Sequence, residues 1–162
     1  INHFREYLRQ VQGKSRASIP PSLLKDLELE FKKAMIPVSG ILPKGVRAKL
    51  KKMKQSKYYE HIEAITNTLN RDYEPIVIPS DREEKLCYRF TQIEGPYEQV
   101  KRKVNKRRKN FMSYPFVFFK LCELEGWDEY MRASYLLKSV ALLVEQDKWW
   151  KLVCYILVWK CE

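Results

Sequence analysis

Seven cations and no acid lie within the nine residues from Lys101 to Lys109. Arginine forks and lysine ammonium groups bind the phosphates of a nucleic acid backbone without reading the base sequence. Such binding weakens steeply as the salt concentration rises. The sequence therefore predicts salt-dependent phosphate binding by Lys101, Arg102, Lys103, Lys106, Arg107, Arg108 and Lys109.

A second group of cations lies on a predicted helix that begins at Pro43. Val46, Leu50 and Met53 recur at the spacing of a helix face that packs in a core, which turns the cations toward solvent. This helix carries no acid that could pair with them along its own length. We expect the exposed face to assist phosphate binding, although a solvated face that binds nothing is an open alternative. The predicted contacts are Arg47, Lys51, Lys52 and Lys54.

The charge of the whole chain agrees with a polyanionic partner. The formal net charge is +11 over 162 residues, and such an excess suits nucleic acid first and an anionic membrane second. The apolar run 152–159 is too short to span a bilayer, so we predict DNA as a partner and no membrane. Two other interpretations stay open, a protein that is simply basic and a nuclear localisation signal at KRKVNKRRK.

The chemistry of an enzyme is missing from the sequence. There is no P-loop, no GxGxxG, no GxSxG and no HExxH. His3 and His61 lack a neighbouring nucleophile and fit structural histidines. We predict a non-enzymatic protein, with a nucleic-acid-processing enzyme built from distant residues as the alternative.

The four cysteines indicate neither a metal site nor a disulfide framework. No pair has C-x-x-C spacing, and no histidine stands near enough to complete a zinc finger. We expect small buried side chains in a reducing compartment, and no metal or cofactor within this stretch.

The pattern of apolar residues predicts an all-α fold. Glycine is scarce, at 5 residues, and turn dipeptides of the hairpin type are missing. We predict a compact multi-helix protein, either one continuous domain or two packed helical lobes. The lobes would be 1–74 and 80–162, joined by a linker at 75–79 in which Ile76, Val77 and Ile78 dock as an extended segment.

Local signals set the ends of several helices. The sequence SDRE at 80–83 predicts a capping box that opens a long amphipathic helix, and Gly95-Pro96 should break or kink that helix midway. A second helix should follow Ser113 and Pro115 and end at Gly126. Separate helices are expected at 136–144 and 149–159, where helix is favoured over strand. The predicted core contains Phe90, Ile93, Phe116, Phe119, Leu121 and Leu124.

Three stretches, INHFREYLRQVQGK, SKYYEHI and RRKNFMSYPFVFFKLCELEGWDEY, occur in an order that runs over nearly the whole chain. Together they resemble the late transcription factors of poxviruses and other large cytoplasmic DNA viruses, the family named for viral late transcription factor three. The recurring positions of that family match Asn2, His3, Phe4, Gly13, Tyr58, Tyr59, Glu60, His61, Ile62, Arg108, Lys109, Asn110, Phe111, Ser113 and Tyr114.

This resemblance implies a non-enzymatic factor that supports initiation by a viral RNA polymerase at late promoters. It implies the polymerase or other late transcription factors as partners, and the viral factory in the host cytoplasm as the location. It also implies a zinc-binding segment upstream of this stretch. The alternative function is a protein-interaction module that binds polymerase or another factor without touching DNA.

Overall fold

The computed structural model describes residues 2–16, 18–104, 113–137 and 140–159, and these residues form helices and connecting turns without a strand among them. The all-α prediction is confirmed. Within the described ranges the helices are α1 Asn2–Val11, α2 Pro21–Lys33, α3 Pro43–Lys52, α4 Ile62–Leu69, α5 Ser80–Val104, α6 Tyr114–Glu125 and α7 Val140–Leu157. Three 3-10 helices lie between them in these same ranges, at Val38–Gly40, Ser56–His61 and Asp128–Leu136.

The chain divides into two compact units. One unit is Arg5–Ile78, and the other is Pro79–Glu162 together with Ile1–Phe4. The first unit contains α2, α3 and α4, and the second contains α5, α6 and α7.

The core of the first unit fixes the orientation of α3. Leu27 and Phe31 of α2 are buried, as are Val46 and Leu50 of α3. Gly45 faces the Phe31 ring, and a Cβ atom there would lie 3.4 Å from it. The apolar face of α3 is therefore turned inward, and its lysines point to solvent.

The side-chain amide of Gln12 holds the last residues of the first unit in place. The Gln12 amide donates to the Leu8 carbonyl at 2.8 Å and accepts from the Ile78 N–H at 2.9 Å. Ile76 and Ile78 are buried, whereas Val77 between them is 75% exposed. This alternation is that of an extended segment, so the docking predicted for Ile76 and Ile78 is confirmed.

Helix α5 continues through Gly95-Pro96, so the predicted break is wrong, and the kink predicted as its alternative stays a prediction. A proline removes one backbone hydrogen bond, but the helix is held on both sides of it. Ile93, Tyr97 and Val100 are buried, and the Tyr97 ring centroid lies 5.5 Å from that of Trp149. The helix also begins slightly early, because the Glu83 N–H already donates to the Pro79 carbonyl at 2.9 Å. Ser80 is thus the first helical residue and not the cap.

Helix α6 begins and ends where the sequence predicts. The Ser113 hydroxyl accepts from the Phe116 N–H, and Gly126 closes the helix in the left-handed conformation with φ 73°. The N–H of Ser113 also donates to the buried Gln146 of α7, at 2.8 Å. The start of α6 is therefore fixed from two directions.

The predicted core of the second unit needs one correction. Phe90, Ile93, Phe116 and Leu121 are buried as predicted, but Phe119 and Leu124 are only half-buried. Phe118 is buried in place of Phe119, at 2% exposure, with its ring centroid 6.2 Å from that of Tyr130. Phe119 instead lines an apolar cavity of about 270 Å³ beside α7.

The C-terminal part of the chain forms one helix and not two. α7 runs from Val140 to Leu157, which joins most of the two predicted segments and confirms helix over strand. Cys87 and Cys122 are buried free thiols. Burial raises the pKa of the Cys122 thiol to about 12. Cys154 is buried, as expected, but it is disulfide-bonded, which differs from the reduced state expected in a reducing compartment.

Within the described residues, five helix ends share one backbone motif. In each, the chain turns through a left-handed residue and two N–H groups bond back to carbonyls of the last turn. Glycine, which adopts this conformation without a steric cost, stands at only two of the five ends. The left-handed residues are Gly13, Met35, Lys54, Gly126 and Val158.

Candidate nucleic-acid interface

The exposed face of α3 is densely basic. Lys44, Lys51, Lys52 and Lys54 are exposed, and Arg47 is half-buried. No carboxylate among the described residues lies within ion-pair distance of Lys44, Lys51 or Lys54. These three ammonium groups remain available to an external anion.

Two cations of this face have internal partners. The Lys52 ammonium lies 3.1 Å from a carboxylate oxygen of Glu30 on α2. This hydrogen bond lowers the pKa of Glu30. The Arg47 guanidinium carbon lies 4.9 Å from the centroid of the Tyr59 ring, a cation–π distance. The lack of acids within α3 thus does not leave Lys52 unpaired, because the carboxylate comes from the neighbouring helix.

The basic surface extends beyond the predicted residues. From residue 31 to residue 59 the chain has nine cations and no acid. Its cations are too widely spaced to form a run. The signal in the sequence that identifies this stretch is the absence of Asp and Glu. It contains Lys32, Lys33, Lys44, Arg47, Lys49, Lys51, Lys52, Lys54 and Lys57.

The second predicted cluster begins at the end of α5. Lys101 is half-buried there, and Arg102 and Lys103 are exposed. Cations at the end of a helix also interact favourably with the helix dipole, so their position alone does not require a ligand. Lys106, Arg107, Arg108 and Lys109 lie outside the described residues. The α5 cations belong to the second unit, and the α3 cations belong to the first.

The described residues on either side of 105–112 are held by contacts of their own. On the α5 side, Val100 is 3% exposed and Tyr97 is 1% exposed. On the α6 side, Ser113 is held by its hydrogen bonds to Phe116 and Gln146.

Two other arginines of the second unit have structural roles. Arg82 pairs with the Glu129 carboxylate and lies 4.8 Å from the Trp127 ring centroid. Arg89 pairs with Glu125 at 3.1 Å and lies 4.8 Å from the Trp159 ring centroid. The hydrogen bond from Arg82 lowers the pKa of Glu129. These arginines tie elements of the second unit together, whereas Lys44, Lys51 and Lys54 of α3 pair with no carboxylate of the described residues.

The described residues offer little catalytic chemistry. His61 Nε2 lies 3.3 Å from Ser18 Oγ, but His61 Nδ1 is buried without a hydrogen-bond partner there. A serine activated by histidine normally needs a third group to orient the imidazole. In the same part of the chain, no set of three or more His, Cys, Asp or Glu side chains is arranged to hold a metal ion. None of the helices formed by the described residues has the length and apolar character that crossing a membrane requires.

Comparison with known proteins gives the family of this chain. Residues 1–161 match the family described as poxvirus late transcription factor VLTF3 like. The chain belongs to this family of viral transcription factors. No solved structure matches it.

Two curated relatives come from large DNA viruses. One, described as a putative transcription factor of Paramecium bursaria Chlorella virus 1, is 35% identical over 161 residues, which is 99% of this chain and 44% of the relative. Another, described as a putative transcription factor of Acanthamoeba polyphaga mimivirus, is 36% identical over 154 residues, which is 95% of this chain and 35% of the relative. The chain therefore spans less than half the length of either relative.

Proposed function

We propose that this chain is a non-enzymatic part of a viral late transcription factor that contacts DNA phosphate while supporting initiation by a viral RNA polymerase. The observation that carries the DNA contact is the α3 surface, where Lys44, Lys51 and Lys54 are exposed within the acid-free stretch 31–59. Family membership supports the role in transcription.

The α3 lysines act as point charges toward phosphate. The cations at the end of α5 and the neighbouring Lys106, Arg107, Arg108 and Lys109 form the second contact region. Neither set presents a recognised base-reading motif, so we expect the affinity for DNA to be nearly independent of sequence.

A titration of duplex DNA at several salt concentrations tests this proposal. We expect the logarithm of the binding constant to fall linearly with the logarithm of the salt concentration, with a slope of about −0.9 for each phosphate contacted. Measurable binding with no salt dependence, or no binding at low salt, would contradict the proposed DNA contact.

A second candidate function is that of a protein-interaction module. The outer side of α7 favours it, because Leu152, Tyr155 and Ile156 are exposed by 43%, 84% and 37%. Exposed apolar side chains on one helix are typical of a contact surface for another protein. Polymerase or another late factor is the partner expected in that case, and DNA binding would then be absent.

Two further expectations concern the whole protein. A zinc-binding segment is expected upstream of residue 1, as the resemblance to the family implies. Localisation to the viral factory in the host cytoplasm follows from the proposed role in viral transcription.

Lys54 permits a test in which stability and binding change in opposite directions. Its φ is 58°, a conformation that glycine adopts more easily. We expect Lys54→Gly to raise the free energy of unfolding by about 1 kcal/mol, because the left-handed strain is relieved. The same change should weaken DNA binding, because one ammonium group is removed. Urea unfolding and a DNA titration measure the two effects.

Met35→Gly is the matched control. Met35 ends α2 with the same φ of 58° and is 89% exposed, without a charge. We expect a similar gain in stability and no change in DNA affinity. If both variants bind DNA as the wild type does, Lys54 lies outside the interface.

A further inference from the structure

The acid-free surface of α3 carries aromatic rings as well as cations. Tyr58 and Tyr59 are consecutive residues of the 3-10 helix Ser56–His61, which packs against α3. Both side chains are half-buried. The 3-10 helix therefore holds the two rings in place at the edge of the basic surface.

Each ring is paired with its own cation. The Arg47 guanidinium carbon lies 4.9 Å from the Tyr59 ring centroid, and the Lys57 ammonium nitrogen lies 5.3 Å from the Tyr58 ring centroid. A guanidinium stacked on an aromatic ring forms a layered plane on which a nucleobase can stack, while neighbouring ammonium groups bind the backbone phosphates.

We propose that the α3 surface with Tyr58 and Tyr59 binds single-stranded nucleic acid, through base stacking on the tyrosine and arginine planes and phosphate contacts with the lysines. This inference rests on the proposed function and specifies the ligand of the same surface. In a duplex the faces of the bases are covered by their neighbours, so aromatic rings can engage only unpaired bases. The exposed charged positions of α3 itself are lysines, which supply phosphate contacts but no base reading in a groove.

Transcription initiation makes such strands available, because the template must be separated before it is copied. The unpaired strand of opened DNA and the new RNA share the same chemistry, bases with free faces on a phosphate backbone. The tyrosines do not distinguish these two sources. A titration with single-stranded DNA and single-stranded RNA distinguishes the two sources.

The test is a fluorescence anisotropy titration with oligothymidylate, oligouridylate and a DNA duplex of equal length at one salt concentration. The double variant Tyr58→Leu, Tyr59→Leu removes the ring faces and keeps every cation. We expect affinity for oligothymidylate to fall at least about tenfold, since base stacking on an aromatic ring is worth about 1–3 kcal/mol per base. Duplex affinity should change by less than about twofold, because the phosphate contacts remain. Equal losses of affinity for oligothymidylate and oligouridylate indicate that the surface binds both unpaired DNA and RNA.

Two control variants test whether the loss of affinity comes from the ring faces of Tyr58 and Tyr59. Tyr58→Phe with Tyr59→Phe keeps the rings, and we expect it to retain single-strand affinity. Tyr88→Leu removes a 63% exposed tyrosine of the other unit, and we expect no effect on binding. Far-ultraviolet circular dichroism confirms that each variant is folded.

The outcomes separate this inference from the proposed function. Unchanged single-strand affinity in the double leucine variant, or an equal loss for single strand and duplex, overturns the stacking surface and leaves salt-dependent DNA binding intact. A wild-type protein that binds neither form overturns both.

Discussion

Replacing Lys44, Lys51 and Lys54 with glutamine is expected to weaken duplex DNA binding at least about tenfold, since charge-assisted hydrogen bonds are each worth about 1 kcal/mol or more. These lysines are exposed on α3, and no carboxylate of the described residues pairs with them. The weakening should be similar for all DNA sequences. The slope of the salt dependence should become shallower by about 0.9 for each phosphate that the variant no longer binds.

A control with the same change in net charge separates a local interaction from general attraction. Lys25, Lys85 and Lys148 are also exposed but lie outside the acid-free stretch 31–59. Lys85 pairs with Glu125 at 3.0 Å, and Lys25 and Lys148 each have an acid next to them in the sequence, Asp26 and Asp147. Their replacement by glutamine should leave both the affinity and the salt slope nearly unchanged. Equal weakening in the two triple variants would show that total charge, and not the α3 surface, attracts the DNA.

The 101–109 cluster is tested in the same assay. Its neutralisation at Lys106, Arg107, Arg108 and Lys109 should weaken binding and flatten the salt dependence if these cations bind phosphate. A nuclear localisation signal predicts no effect on DNA affinity in vitro. The comparison with the α3 variant shows which unit of the chain contributes more to DNA binding.

Phe118→Ala is expected to lower the free energy of unfolding by about 3–5 kcal/mol. Phe118 is only 2% exposed and its ring lies beside that of Tyr130. Removing it from a close-packed interior forfeits its apolar burial and leaves a cavity. Urea unfolding followed by circular dichroism measures the change. Phe118→Leu, which keeps most of the volume, should remain folded and lose less stability.

Phe119→Ala is the matched comparison because it removes the same side chain from the next position of α6. Phe119 is half-buried and lines a cavity, so its removal forfeits less apolar burial. We expect less than half the destabilisation of Phe118→Ala. A larger destabilisation at Phe119 would mean that Phe119, and not Phe118, is the side chain that α6 packs into the core.

The sequence predicts helix ends well where they depend on local backbone chemistry. Proline opens α2 and α3, and Ser113 caps α6. Gly126 closes α6 because glycine adopts a positive φ without steric cost. The left-handed ends at Met35, Lys54 and Val158 were not predicted, since these residue types normally avoid that conformation.

Interactions between distant residues explain the remaining differences. Two adjacent phenylalanines both fit the inner side of α6, and the buried one is Phe118, whose ring lies beside that of the distant Tyr130. The pairing of Lys52 with Glu30 joins residues 22 positions apart. The sequence does not place Tyr58 and Tyr59 in the basic surface, because the cations that lie over their rings become apparent only after folding.

The distribution of tryptophan and cysteine gives one of the two units a spectroscopic signal of its own. All four tryptophans and all four cysteines lie after residue 78, so tryptophan fluorescence follows only the unit that contains Pro79–Glu162. The buried Cys122 thiol, with its pKa raised to about 12, should react with a thiol reagent at neutral pH only when that unit opens. Far-ultraviolet circular dichroism follows both units. Coincident transitions would show that the two units unfold as one cooperative body, and separate transitions would yield an unfolding curve for each half without any added label.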